Sequence, residues 1–170
     1  MKFKYCPICA SELEHYQDAE VERQRCTAGS CNYVNWNNPT PVVAAIVEHE
    51  GEVILARNKL WPEDWFGLIT GFLEFGESPE TGVLREVEEE LGLQGEVIEF
   101  VGHYDFTQMN QLLIAYHVRA SGDIVLGDEL AAFKRVNPTE LQPWPMGTGH
   151  AVRDWLIRNH ARSDLEPVTP

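Results

Sequence analysis

Residues 71–93, GFLEFGESPETGVLREVEEELGL, constrain the fold more than any other stretch of this 170-residue chain. Ser78 is a favoured N-cap, Pro79 suits the first helical position, and Gly92 can end a helix in the left-handed conformation. A helix is therefore predicted between them, with Val83, Leu84, Val87 and Leu91 as its apolar stripe. The segment holds seven glutamates and one arginine, and four of the glutamates crowd between Glu86 and Glu90. Helical spacing puts Glu86, Glu89 and Glu90 on one arc beside the stripe and Glu88 on its other side.

That crowding is unfavourable on structural grounds. Like charges three or four residues apart cost about 0.2–0.5 kcal/mol per pair. Anions in the last turns also oppose the helix dipole, by about 0.3–1 kcal/mol each. One reading is a solvated acidic face on an acidic protein. The other is a cation site, since a bound cation reverses the sign of every one of these terms, and Mg²⁺ and Mn²⁺ choose carboxylate oxygens.

The chain carries a net charge of -14, which argues against unspecific nucleic-acid binding, so no nucleic-acid partner is expected. An anionic substrate would need cations to bring it in, and with 13 Lys and Arg in all, metal ions are the natural candidates. The length suits one ordinary domain with a small appendage, and a hydrophobic fraction of 44% fits a globular chain. No apolar run approaches the roughly 20 residues that span a bilayer, and MKFKYCPIC lacks a signal-peptide core. A soluble, cytoplasmic protein with no membrane partner is expected.

All four cysteines, Cys6, Cys9, Cys26 and Cys31, fall in the first 31 residues. Two short knuckles, CPIC and CTAGSC, stand at a separation typical of zinc ribbons, and four thiolates satisfy a tetrahedral zinc. Two disulfides are the alternative, which intracellular redox conditions disfavour. A ribbon over 1–38 is predicted, with Zn²⁺ in a structural role because four cysteines leave no open position.

After the turn-rich NWNNPTP, VVAAIVEHEGEVILARN reads as two strands joined near Glu50-Gly51. KLWPEDWFGLITGF reads as a loop with two tryptophans and then a short strand. Beyond the helix, GEVIEFVGHYDF and QLLIAYHVRA form a predicted hairpin turning near Met109-Asn110. AAFKRV is a further strand, PTEL a single helical turn, GHAVRDWLIRNH an amphipathic helix, and 163–170 a frayed tail. The class is mixed α/β over 39–162.

Gly71, Glu77 and the run Arg85-Glu86-Val87-Glu88-Glu89-Glu90-Leu91-Gly92-Leu93 reproduce the Nudix box, G-x5-E-x7-R-E-U-x-E-E-x-G-U, at every constrained position. The chain thus resembles the Nudix hydrolases from about Pro41 to His160. The resemblance implies an α/β/α sandwich with a mixed sheet. It also implies hydrolysis of the pyrophosphate bond in a nucleoside diphosphate derivative, with Mg²⁺ or Mn²⁺ neutralising phosphate charge and activating the attacking water. Carried over position by position, Glu86 and Glu90 are the main metal ligands, Glu89 is a further ligand, and the Gly71 carbonyl completes a coordination shell. Arg85 and Glu77 orient the carboxylates, and Glu129 is a candidate general base. A homodimer is also implied.

A ribbon before the Nudix domain resembles the NADH pyrophosphatase group, as do Gly71-Phe72 and SGDIVLGDEL at 121–130. That group carries SQPWPFP shortly after the box. Here LQPWPMG lies at 141–147, far too late, and reads as a rigid connector, whereas GHYDFTQMNQ stands in the expected place. NADH, NAD⁺, FAD and ADP-ribose are thus all candidate small-molecule substrates. Trp61 is a candidate for base stacking, and Tyr104, Phe106 and Gln108 for reading the nucleoside. Trp65 could also stack on a base, but its first reading is a core residue. Two alternatives stand beside this reading. One is clearance of damaged nucleoside triphosphates. The other is a nucleotide-sensing regulator, which such an intact box disfavours.

Overall fold

The computed structural model describes residues 3–162, 164 and 165. Two compact units divide after Pro39, one residue later than the ribbon boundary expected from the sequence. In the first, β1 (Leu13–Asp18), β2 (Val21–Cys26) and β3 (Val34–Asn35) form an antiparallel sheet in that order. Its buried side chains are few, Cys6, Gln24 and Cys26, so the apolar core alone is too small to hold it.

The second unit contains β4 (Thr40–His49), β5 (Glu52–Asn58), β6 (Ile69–Phe72), α1 (Pro79–Leu91), β7 (Gln94–Phe106), β8 (Gln111–Ser121), β9 (Leu130–Val136) and α2 (Gly149–His160). The sheet runs β7-β8-β4-β5-β9, with β6 also paired to β4. Only β4 and β8 run parallel, in register from Thr40–Gln111 to His49–Ala120. The opposite edge of β4 is divided: Val42–Ala45 pair with β6, and Val47–His49 with β5.

This arrangement explains why β4 is an unbroken apolar run rather than an alternating one. A central strand covered on both faces buries every side chain. Val43, Ala45 and Val47 pack under Val83, Val87 and Leu91 of α1, as the stripe predicted. Ala44 and Ile46 pack on the other face against Val152, Trp155 and Leu156 of α2. The mixed sheet between two helices is the α/β/α sandwich expected.

The hairpin at 50–51 forms with both residues left-handed, Glu50 at φ 54° and Gly51 at φ 80°, which matches the twist of its strands. The second hairpin turns through a 3₁₀ segment, Thr107–Met109, and closes on left-handed Asn110. The turn expected at PTEL is present, with the Glu140 and Leu141 N–H groups donating to the Asn137 carbonyl. Trp65 departs from expectation: it is 60% exposed and its side chain joins neither core, whereas its neighbour Phe66 packs against the α2 side. The predicted tail falls partly outside the described residues. Asp164 pairs with Arg162 at 2.7 Å and Leu165 packs against the α2 core, so these two are not frayed. Among the described residues no helix is long and apolar enough to cross a membrane.

Candidate functional site: an acidic cleft at the end of α1

α1 begins and ends where its sequence signals lie. Ser78 Oγ accepts from the Thr81 N–H at 3.2 Å, and Gly92, at φ 68°, donates its N–H to the Glu88 carbonyl at 2.8 Å. The last two turns therefore hold Glu86, Glu89 and Glu90 along one side of the helix. That side faces the strand β6 and the segment that precedes β9.

Arg85 organises these carboxylates. Its guanidinium donates to both Glu77 oxygens, at 2.8 and 3.2 Å, to Glu86 at 2.6 Å, to Glu89 at 3.1 Å and to the Phe72 carbonyl at 3.1 Å. The forked contact with Glu77 uses a geometry that lysine cannot supply. Glu77 also accepts from the Glu74 N–H at 2.8 Å, which locks the turn before the helix. Its hydrogen bond from Arg85 holds the Glu77 carboxyl below its usual range, and the same pairing raises Arg85 further.

Gly71 lies against Glu86 so closely that a Cβ there would come within 1.9 Å of its carboxylate. The box glycine thus leaves room for the carboxylate that follows fifteen positions later in the sequence (71 to 86). Beyond it opens a cleft of about 470 Å³. Six carboxylates line it: Glu74, Glu86, Glu89, Glu90, Asp128 and Glu129. Arg85 is its one cationic side chain among the described residues. Burial, followed by the charges of Glu86, Glu129 and Glu89, pushes the Glu90 carboxyl up to about 7. Burial likewise raises Glu86, against the pull of Arg85.

So concentrated a set of oxygen donors suits a hard divalent cation. The donors ring the cleft rather than meet at a point, since Glu86 and Glu89 are both turned to Arg85. Val42, Thr70, Phe72, Gln111 and Gly127 complete the wall and were not anticipated from the sequence. Phe72 and Glu74 sit inside the box and could have been noticed there. Val42 and Gln111 arrive through the pairing of β4 with β8, which no local pattern announces.

The residues expected to read the nucleoside do not line this cleft. Tyr104 packs with the α2 core, and its hydroxyl donates to Asp154 at 2.8 Å, where burial and then Asp154 raise it well above a free phenol. Phe106 lies against Gly147, where a Cβ would be 3.4 Å from its ring. Gln108 is exposed in the 3₁₀ segment. Trp61 rests on Gly67 and is 40% exposed.

In the first unit the four thiols are free and converge, each ligand atom within 4.8 Å of the others. Sγ separations of 3.7 Å (Cys6–Cys31) and 3.4 Å (Cys9–Cys26) are far from disulfide distances. They approach the edge of about 3.8 Å that a tetrahedron with Zn–S bonds of about 2.3 Å requires. The N–H groups of Ile8 and Ala28 donate to Cys6 and Cys26 Sγ, both at 3.4 Å. The quartet fits a closed zinc site and not a pair of disulfides.

Known proteins bear on both units. A model of the NUDIX domain matches residues 38–154. The NAD-capped RNA hydrolase NudC of Pseudomonas aeruginosa is 28% identical over 98% of this chain, and the chain spans 60% of that protein's length. A NUDIX hydrolase from Nitrosomonas europaea has the same fold, with a TM-score of 0.78, 22% identity and coverage of 99% of this chain and 97% of its own. An ADP-ribose pyrophosphatase from Streptococcus suis superposes with a TM-score of 0.59 at 21% identity, over 75% of this chain and 96% of its own. With the box intact, Glu86, Glu89 and Glu90 gathered on one cleft and the domain model matched over most of the chain, this protein belongs to the Nudix family.

Proposed function

We propose that this protein hydrolyses the pyrophosphate bond of a nucleoside diphosphate derivative, releasing a nucleoside monophosphate and a second phosphomonoester. The observation that carries the reading is the charge of the cleft: six carboxylates against one guanidinium. A pyrophosphate, itself anionic, enters such a site only with cations. Glu86, Glu89, Glu90 and the Gly71 carbonyl would hold Mg²⁺ or Mn²⁺, which when bound neutralises phosphate charge and lowers the pKa of a coordinated water.

The chain's own groups do the rest. Arg85, fixed by Glu77, keeps Glu86 and Glu89 aligned, a supporting role whose loss typically costs about 10–100-fold. Glu129, in the wall of the same cleft, accepts the proton of the attacking water. The water oxygen bonds to one phosphorus, the P–O bridge to the other phosphate breaks, and the bridging oxygen leaves as a phosphate oxygen.

NADH, NAD⁺, FAD and ADP-ribose all contain the required bond. The name of the Pseudomonas aeruginosa relative adds an NAD-capped RNA, in which the same bond stands beside a nucleic acid, so a capped RNA joins the candidate substrates despite the net charge of -14. The cysteine quartet would hold Zn²⁺ structurally, and light scattering on the purified chain tests the expected homodimer.

Product analysis decides the reaction. The zinc-loaded protein and Glu90→Gln are incubated with each of these substrates and with deoxynucleoside triphosphates, in Mg²⁺ or Mn²⁺. Metal-dependent release of a nucleoside monophosphate from a dinucleotide or the RNA cap, lost in the variant, is the expected result. Pyrophosphate released from triphosphates alone would instead indicate clearance of damaged nucleotides. Nucleotide binding with no turnover anywhere would make the protein a sensor.

A further inference from the structure

We propose that residues 124–129 form a strap that sets the position of Glu129 against the α1 carboxylates, with Gly127 and Lys59 as its positioning residues. The proposal rests on the reading of the cleft given above.

The strap is fastened on two sides. Toward α1, the Val125 N–H donates to the Leu91 carbonyl and the Gly127 N–H to the Glu90 carbonyl, both at 2.9 Å. These are carbonyls that a helix C-terminus leaves without intrahelical partners. On the far side, the Lys59 N–H donates to the Glu129 carbonyl at 2.9 Å, which carries the β5–β9 pairing beyond Asn58–Leu130. The Lys59 ammonium also donates to the Asp128 carbonyl. Leu130 N–H donates back to the Gly127 carbonyl at 3.2 Å and closes the turn.

Gly127 is needed here for closeness. A Cβ at this position would lie 2.4 Å from the Glu89 carbonyl oxygen and 3.2 Å from Glu90 Cα. Both atoms are helix backbone and cannot swing aside. Any side chain at 127 must therefore lift the strap from the one helical turn that carries Glu89 and Glu90. Glu129 lies two residues further on, in the wall of the same cleft. Displacements of about 1 Å at a reacting centre can cost about 100-fold in rate.

The test uses the zinc-loaded full chain, with Mn²⁺ affinity read by paramagnetic resonance titration and kcat and KM read on the best dinucleotide substrate. Gly127→Ala is expected to weaken Mn²⁺ binding and lower kcat, each by about 10–100-fold, because it carries the Glu129 charge away from the cleft that takes the cation as well as from the attacking water. At Mn²⁺ concentrations that saturate the variant, KM should stay within about twofold, since the contacts to substrate are not altered. Placed on a Glu129→Gln background, Gly127→Ala should add nothing further, because it acts through Glu129. Lys59→Met should show the same pattern in weaker form, and Lys59→Arg, which can still donate to the carbonyl, should restore it.

Full additivity on the Glu129→Gln background would overturn the proposal, as would wild-type Mn²⁺ affinity and kcat in a folded Gly127→Ala. Should that variant fail to fold, wild-type behaviour of Lys59→Met overturns it instead. A wild-type protein that hydrolyses nothing sinks the proposed function alone, and Mn²⁺ affinity across the same variants then judges the strap.

Discussion

Glu90→Gln should stabilise the protein in Mg²⁺-free buffer and destabilise it relative to wild type once Mg²⁺ or Mn²⁺ is added. Burial and the neighbouring carboxylates of Glu86, Glu129 and Glu89 raise Glu90 from 4.5 to about 7. A carboxyl raised in the folded state favours folding only while protonated. Its contribution is fully present below its unfolded value near 4.5 and is lost as pH rises through about 7. A displacement of that size corresponds to about 3 kcal/mol for a sealed site. Because Glu90 keeps some solvent contact, about 2 kcal/mol is the expected share. Glutamine keeps the shape and removes the charge. At pH 8, calorimetry on the zinc-loaded chain should show the main transition of the variant about 6 °C higher than wild type, at about 3 °C per kcal/mol. The difference should shrink toward zero as pH approaches 4.5. Added Mn²⁺ should raise the wild type and leave the variant nearly unmoved, which reverses their order. A variant less stable than wild type at pH 8 without metal, or a difference independent of pH, would refute the idea that this cleft buries a carboxylate at a cost, with its neighbours adding to it.

Two further outcomes follow from the geometry. Gly71→Ala puts a Cβ where the Glu86 carboxylate lies, so Glu86 must leave its 2.6 Å contact with Arg85. Mn²⁺ affinity in the cleft should fall about 10–100-fold, read by the same resonance titration, and an unchanged affinity would show that Glu86 is not a ligand. Zinc removal by a strong chelator should expose four reactive thiols and unfold the first unit, because its few buried residues cannot hold it alone. Thiol titration gives the count, and calorimetry should show the loss of the first unit's own transition.

The helix that carries the site was legible in the sequence because everything that specifies it is local. Ser78, Pro79 and Gly92 act within a few residues of themselves, and the periodicity of Val83, Val87 and Leu91 selects one face regardless of what packs there. The same holds for the hairpin at Glu50-Gly51 and for the cysteine spacing, whose pairs close within short loops. Tertiary structure decided what faces those glutamates. Asp128 and Glu129 reach the cleft because β5 pairs with β9 and because Gly127 meets the α1 backbone, a contact between positions nearly forty residues apart in the chain (89 to 127). Val42 and Gln111 enter the same wall through the parallel pairing of β4 with β8. Tyr104, placed by sequence near the nucleoside, instead joins the α2 core on the other face of the sheet. Register and strand order assign a residue to one face or the other, and the shifts within β7, between Val97 and Glu99 and between Phe100 and Gly102, leave no simple alternation from which to read that assignment.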